Sequence, residues 1–129
     1  GLEARIAVHL APAQQLPFAD GHFAAVLSNS IVHHIPEPFA VLAEMVRVTA
    51  RGGWLFVRDL VRPVDEATLD ALVAQHAAGA NDHQRQMFRD SLHAALTVDE
   101  VRAMVARLGL DPAHVTQTTD RHWTWATRR

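Results

Sequence analysis

The chain has 129 residues, of which 49% are hydrophobic and 20% charged, and its formal net charge is −2 with neutral histidines. These values are typical of one small globular domain and argue against a basic surface for nucleic acid or an anionic membrane. Because the chain has no cysteine, disulfides, thiolate metal sites and cysteine nucleophiles are excluded. No apolar run has the length of a membrane span and no signal peptide is evident, so we expect a cytoplasmic protein.

The first half of the chain predicts two strands joined by a helix, after an earlier strand. Residues 5–10 alternate weakly between apolar and polar side chains and predict that earlier strand. Residues 24–28 are short and apolar and follow a turn, which is typical of a strand buried on both faces. Pro38 suits the first turn of a helix, which we expect Gly52-Gly53 to stop. Residues 54–57 predict the next buried strand.

The second half of the chain is mainly helical in period and closes with strands. Asp65 predicts the cap of a helix that runs to about residue 78, and a second helix is expected over residues 83–95. Residues 97–100 form a capping box, which begins a third helix because the Thr hydroxyl and the Glu carboxylate can each satisfy a backbone N–H. Residues 115–119 and 122–127 are rich in Thr, Trp and Val and predict an antiparallel pair. The order of elements predicts an α/β fold with at least one parallel crossover.

Several phrases of the sequence, in this order, resemble a known family. They are Leu16-Pro17-Phe18 before Phe23, residues 28–34 (Ser-Asn-Ser-Ile-Val-His-His), and residues 44–48 followed by two glycines. They resemble the fourth strand, the loop after it, and the helix and turn into the fifth strand of class I S-adenosylmethionine (SAM)-dependent methyltransferases of type 11. The resemblance covers roughly one third of the chain. It implies a Rossmann-like methyltransferase sheet with helices on both faces, truncated to strands 3 to 7 of the seven-stranded fold.

Parts of the family pattern have no counterpart in this chain. The first two strands are missing, together with the glycine-rich loop and the acidic residue that hold the cofactor. None of the six glycines forms a G-x-G loop. Ala24 stands where the family usually carries Asp, and Pro12 stands where it often has an acid near the adenine. We therefore expect residues 1–129 to be a single partial methyltransferase domain, N-terminally incomplete, with a helical substrate-side insert at about 65–96.

The resemblance also implies a site at the carboxyl ends of the strands. SAM would be the cofactor, and its expected contacts are Ala13, Gln14, Ser28, Asn29 and Ser30. His33 is the catalytic candidate, as an orienting group or general base. Substrate-side candidates are His34, Arg58, Asp59, Arg89, His93, Arg121 and His122. Structural roles stay open for the same residues, because short polar side chains often satisfy turn backbone and Arg-Asp neighbours often form plain ion pairs.

The sequence therefore predicts a SAM-dependent methyltransferase of unknown small-molecule substrate. Methyl transfer from a sulfonium needs little acid–base work, so positioning can supply most of the acceleration. Two alternatives stay open: a non-catalytic binding or assembly module derived from a methyltransferase half, and a His-based metal-binding protein. The nine histidines show no H-E-x-x-H or similar spacing, so no metal ligand is assigned. No nucleic-acid or membrane partner is expected. An exposed apolar edge at the fourth strand predicts a homodimer or strand exchange.

Overall fold

The computed structural model describes all 129 residues, and its centre is a four-stranded mixed sheet. The strands are β1 (Phe23–Asn29), β2 (Thr49–Leu60), β3 (Val115–Thr119) and β4 (His122–Arg128). Their order is β1-β2-β4-β3, with β1 parallel to β2 and the other two pairs antiparallel. The predicted α/β class, the parallel crossover and the closing antiparallel pair are thus confirmed.

Four helices connect these strands, and each begins at a recognisable signal. They are α1 (Pro38–Val48), α2 (Glu66–His76), α3 (Asp82–Ala94) and α4 (Val98–Arg107). The Asp65 side chain accepts from the backbone N–H of Thr68 at 2.8 Å, and Thr97 forms the predicted capping box with Glu100. A second capping box, between Asn81 and Gln84, begins α3. None of the helices has the length and apolar character needed to cross a membrane.

Two hydrophobic clusters hold the sheet and helices together. In the larger cluster α1 and α4 cover one face of the sheet, with Trp123 and Trp125 completely buried. The smaller cluster is formed by Leu60 at the end of β2 with α2 and α3: its members are Leu60, Leu69, Leu72, Leu92 and Ala95. A fully buried Leu is worth roughly 1.5–3 kcal/mol, so the smaller cluster is enough to fix α2 and α3 at the carboxyl end of β2.

Most of the second sheet face is uncovered. Leu27 on β1 is 74% exposed, and Trp54 and Phe56 on β2 are 54% and 39% exposed. Leu27 pairs with Phe56 across the two strands, so the three side chains form one apolar surface, which we call the open face. β1 pairs only with β2 and is therefore an edge strand. A contiguous exposed apolar surface of this kind marks an interaction site or an aggregation hazard.

The predicted strand over residues 5–10 is wrong. Residues 2–5 form a short 3₁₀ helix, residues 6–10 have no regular structure, and Ile6, Val8 and Leu10 are exposed. This segment pairs with neither edge strand of the sheet, β1 or β3, so its backbone groups have no ladder partner. The sheet consequently contains counterparts of strands 4 to 7 of the family fold, not 3 to 7.

The Gly52-Gly53 pair also acts differently from the expectation. Helix α1 ends at Val48, and both glycines lie inside β2. Gly52 has a φ of 73°, a conformation that glycine adopts without strain. A Cβ at Gly53 would lie 2.8 Å from the carbonyl oxygens of Ala24 and Ala50. The pair therefore allows a close backbone approach where the β1–β2 register shifts, instead of stopping a helix.

A polar clamp on α1 fixes the segment that leads into β1. The Glu44 carboxylate accepts from the backbone N–H of Leu16 at 2.7 Å and from Arg47 at 2.6 and 2.8 Å. Arg47 also donates to the carbonyl oxygens of Phe18 and Leu16 and to Asp20. The hydrogen bonds from Arg47, and to a lesser degree that from Leu16, lower the pKa of Glu44 to about 2 against the effect of burial.

Candidate functional site

The carboxyl ends of β1 and β2 lie side by side and carry the polar residues that the sequence singled out. The chain leaves β1 through Ser30, whose φ of 55° makes it the only non-glycine residue with a positive φ. Its backbone N–H donates to the carbonyl oxygen of Arg58 at 2.9 Å. A left-handed conformation costs a non-glycine residue roughly 1–2 kcal/mol, and such residues cluster at functional sites. The turn after β1 is therefore strained at the edge where α/β sheets bind ligands.

Asp59, at the end of β2, holds the loop that follows β1. Its side chain is 1% exposed, and one carboxylate oxygen accepts from the backbone N–H groups of Ile31 and Val32 at 2.9 and 2.6 Å. The other oxygen accepts from the N–H of Leu60 at 2.7 Å and lies 2.5 Å from Nδ1 of His33. A buried carboxylate with four polar partners is fully satisfied, so this residue fixes both the loop and the imidazole.

The environment of Asp59 favours its charged form. Burial raises the pKa of its carboxyl, but the hydrogen bond from His33 and the N–H groups of Leu60 and Val32 lower it by more. The pKa of Asp59 is therefore below its ordinary value. Since an ionised carboxylate only accepts hydrogen bonds, Nδ1 of His33 must carry the proton, which leaves Nε2 for another partner.

Two cavities of about 310 and 380 Å³ share His33, His34 and Ala94 in their linings, and they are here called the two lobes of the histidine groove. One lobe is mainly apolar, and its other lining residues include Val32, Ile35, Pro36, Pro38 and Leu96. The second lobe lies between the two histidines and α3, where it is lined by Met87, Asp90, Ser91 and Ala94. The groove therefore has one mainly apolar end and one polar end, with the imidazole of His33 between them. A groove of this kind can bind a small molecule.

A second groove of about 370 Å³ lies beside β1 and contains part of the expected cofactor set. Ala13, Ser28 and Asn29 line it together with apolar side chains: Leu16, Val26, Leu27, Ile31 and Met45. Gln14 and Ser30 do not line this groove. The Ser28 hydroxyl is buried and has no hydrogen-bond partner. An apolar slot with one unpaired hydroxyl fits the adenine end of SAM, whereas no residue of the groove offers a charged partner for its amino-acid end.

Arg58 and His122 lie together on the sheet face opposite the larger core cluster. Nη2 of Arg58 is 3.2 Å from Nδ1 of His122, and the hydroxyl of Thr119 is 2.8 Å from the same nitrogen. Burial and the charges of Arg58 and Arg121 lower the pKa of His122. Arg121 itself lies at the turn between β3 and β4, where it contacts His76 of α2 at 2.9 Å. These residues join the sheet to α2 and do not line the histidine groove.

The structure places Arg89 and His93 against α2. Arg89 forms ion pairs with Glu66 at 2.6 Å and with Asp70, and Nε2 of His93 lies 3.4 Å from Glu66. Neither residue lines the groove. The residues of α3 that do line it are Met87, Asp90, Ser91 and Ala94. The spacing of these four residues places them on one face of a helix. This periodicity is the signal in the sequence that could have identified them as a group.

The histidines are not arranged as a metal centre. No group of three or more His, Asp or Glu side chains has the geometry to hold a metal ion. His33 is bound to Asp59, and His76 is bound to Asp120 at 2.6 Å. The metal-binding alternative therefore gains no support from the structure.

Comparisons with known proteins agree with the fold described above. A family model described as "Methyltransferase domain" matches residues 2–57. The 27-O-demethylrifamycin SV methyltransferase of Amycolatopsis mediterranei (strain S699) is 29% identical over 129 residues, covering 97% of this chain and 44% of that protein. The methyltransferase GfsG of Streptomyces halstedii is 28% identical over 125 residues, covering 93% of this chain and 40% of that protein. The chain thus spans less than half the length of these relatives.

A solved structure shows the same fold. The SAM-dependent methyltransferase from Aquifex aeolicus superposes with a TM-score of 0.62 at 13% identity, over 93% of this chain and 53% of that one. The parallel crossover through α1 between β1 and β2 is what the family resemblance implies between the fourth and fifth strands. In sequence and in fold, the chain is thus similar to one part of the class I SAM-dependent methyltransferase domain.

Proposed function

We propose that this chain forms the acceptor-binding part of a SAM-dependent methyltransferase that acts on a small organic molecule. The observation that carries the proposal is the buried Asp59–His33 pair at the floor of the groove. SAM, when bound, supplies an electrophilic methyl group on a sulfonium. The relative from Amycolatopsis is named for a small-molecule acceptor, which supports the same class here.

In this proposal His33 orients the acceptor and takes its proton. Asp59 holds the proton of the imidazole at Nδ1, so Nε2 is free to accept a hydrogen bond from an acceptor hydroxyl. With SAM bound, transfer of the methyl group to the acceptor oxygen would break the S–CH3 bond and leave S-adenosylhomocysteine. Nε2 of His33 would take the proton of the acceptor hydroxyl, and the Asp59 carboxylate would stabilise the resulting imidazolium. The near-complete burial of both side chains excludes water from the pair and strengthens this interaction.

We propose that Ala13, Ser28 and Asn29 bind the adenine end of the cofactor in the groove beside β1. Ser28 would supply a hydroxyl group for hydrogen bonding, and its apolar neighbours would form the slot for the adenine. Calorimetric titration of S-adenosylhomocysteine into the purified chain tests this role, with Ser28→Ala as the variant. We expect measurable binding that Ser28→Ala weakens. If the chain does not bind the ligand at all, it does not form the cofactor site by itself.

The role of His33 is tested by separating turnover from cofactor binding. The assay measures release of S-adenosylhomocysteine with a panel of small hydroxylated acceptors, alongside calorimetry of cofactor binding. His33→Ala should lower turnover by on the order of 100-fold, the contribution typical of a general base, and change cofactor affinity much less. His83→Ala, an exposed histidine on α3, is the control and should change neither quantity. Equal losses of turnover and affinity for His33→Ala would contradict the proposal.

The open face supports a second candidate function, in which the chain is an assembly module. Leu27, Trp54 and Phe56 expose apolar surface next to the unpaired edge of β1. We propose that a second copy of the chain covers this edge as a homodimer or by strand exchange, because an exposed apolar edge strand readily pairs with another chain. The cytoplasm remains the compartment that we propose for the protein.

A further inference from the structure

The second lobe of the groove has a wall that belongs entirely to α3. We infer that Met87, Asp90 and Ser91, here called the selectivity wall, choose among acceptors, and that Asp90 favours those with an ammonium or hydroxyl group away from the methylated atom. This inference rests on the proposed function, since it assumes that the acceptor lies over His33.

Contacts between α3 and α2, on the side of α3 away from the groove, fix the orientation of the selectivity wall. Leu92 is completely buried and Phe88 packs beside it in the smaller core cluster, on the side of α3 that faces α2. Arg89 ties the same side to Glu66 of α2 at 2.6 Å. Since α3 is held in this way, positions 87, 90 and 91 point toward the histidines, as the lining of the groove shows.

The selectivity wall combines a hydrogen-bond acceptor, the carboxylate of Asp90, with the thioether of Met87. One carboxylate oxygen of Asp90 accepts from Nε2 of Gln86 at 2.8 Å, and no basic side chain forms an ion pair with Asp90 within 4.0 Å. The Ser91 hydroxyl donates to the carbonyl oxygen of Met87 at 3.0 Å, so its lone pairs remain free. The Met87 side chain is 57% exposed and offers soft apolar contact.

Charge distinguishes the two ends of the groove. The lobe lined by Pro36, Pro38 and Leu96 has no charged side chain, whereas the lobe at α3 carries the formal negative charge of Asp90. An acceptor with an apolar body and a donor group at its far end matches both lobes at once. An acceptor with a carboxylate at that end would face Asp90 with a like charge, which costs free energy.

Three phenols that differ in the charge of their para substituent test the preference that we assign to the selectivity wall. They are tyramine, para-ethylphenol and para-hydroxyphenylacetate, which are cationic, neutral and anionic at neutral pH. Binding to the whole chain is measured by two-dimensional amide NMR at millimolar probe concentrations, without SAM. Tyramine should bind about three- to five-fold tighter than para-ethylphenol, the effect typical of a partly exposed ion pair, and para-hydroxyphenylacetate should bind most weakly.

The variant Asp90→Asn should make tyramine and para-ethylphenol bind equally. Asp82→Asn is the control, because it removes an exposed carboxylate from the same helix outside the groove, and it should preserve the ranking. An unchanged ranking in Asp90→Asn would overturn the inference, and so would the absence of amide shifts at residues 33–34 and 87–94 with all three probes.

This experiment separates the inference from the proposed function. Suppose that the ranking of probe affinities depends on Asp90 but the chain never transfers a methyl group. That result would support the inference about the selectivity wall and contradict the methyltransferase proposal. Methyl transfer with a probe ranking that is independent of Asp90 would overturn the wall and leave the methyltransferase proposal in place.

Discussion

The carboxylate of Asp59 lies 2.5 Å from Nδ1 of His33, although the two residues are 26 positions apart in the chain. The same carboxylate binds the two backbone N–H groups that precede this histidine. One buried side chain therefore sets the path of the loop and the orientation of the ring together. A change at Asp59 should consequently affect both stability and the proposed chemistry.

The variant Asp59→Asn should destabilise the fold. An amide has the same shape but only one accepting oxygen, so at least one buried N–H loses its partner, at a cost of about 1–3 kcal/mol in the free energy of unfolding. Chemical denaturation measures the change. Asp99→Asn, at an exposed position, is the control and should stay within about 0.5 kcal/mol of the parent chain. If the two variants are equally stable, the carboxylate does not clamp the loop.

Stability should fall in acid partly through Glu44. Its pKa is lowered from 4.5 to about 2, so its stabilising contribution is complete above pH 4.5 and is lost as the pH falls toward 2. The pKa of Asp59 is lowered as well, which gives the same sign. Glu44→Gln should thus be less stable than the parent chain at neutral pH, and the difference should shrink near pH 2. Urea unfolding at both pH values measures it; a difference independent of pH would contradict the assignment.

Gly53→Ala should disturb the register between β1 and β2. A Cβ at this position would lie 2.8 Å from two backbone carbonyl oxygens, and backbone cannot move aside as a flexible side chain can. We expect a loss of about 2 kcal/mol or more in thermal or chemical unfolding. Gly79→Ala has open space around the new methyl group and should leave stability unchanged or slightly higher. Equal stability of the two variants would show that the close approach is not needed.

Leu27→Lys should weaken self-association through the open face. Lysine on an edge strand opposes pairing with another chain, and Leu27 is mostly exposed, so the substitution should cost the monomer little stability. Light scattering at micromolar concentration should show the parent chain as a dimer and Leu27→Lys as a monomer. The exposed Val64→Lys, outside the open face, should remain a dimer. A monomeric parent chain would rule out the homodimer.

Local signals predicted most of the fold. Pro38 at the first turn of α1, the Asp65 cap and the Thr97 capping box each act within four residues, so the sequence itself displays them. The strand over residues 5–10 failed because a strand depends on a neighbour, and residue alternation carries no information about whether one is present. The glycine pair was expected to stop α1, but its role in the sheet depends on the close approach to Ala24, which lies on another strand.

The site was predictable in position but not in its pairings. The topology of α/β sheets predicts ligand-binding residues beside the ends of β1 and β2, and His33 and Asp59 lie there. Their mutual hydrogen bond is a contact between distant segments, which no local pattern reveals. Arg89 was expected on the substrate side, yet it pairs with residues of α2 and does not line the groove, whereas the neighbouring Asp90 does. Arg89 and Asp90 are adjacent in the sequence, yet they lie on different faces of the helix.

The unequal burial of the three tryptophans gives the protein an internal optical reporter. Trp123 and Trp125 are sealed in the core, whereas Trp54 meets solvent on the open face, with the guanidinium of Arg128 4.3 Å from its ring centre. Indole fluorescence shifts to the blue when water leaves the ring, so any polypeptide that covers the open face should change the emission of Trp54 alone. Titration of candidate partners can therefore be followed without a label, and quenching by iodide should fall as the face becomes covered.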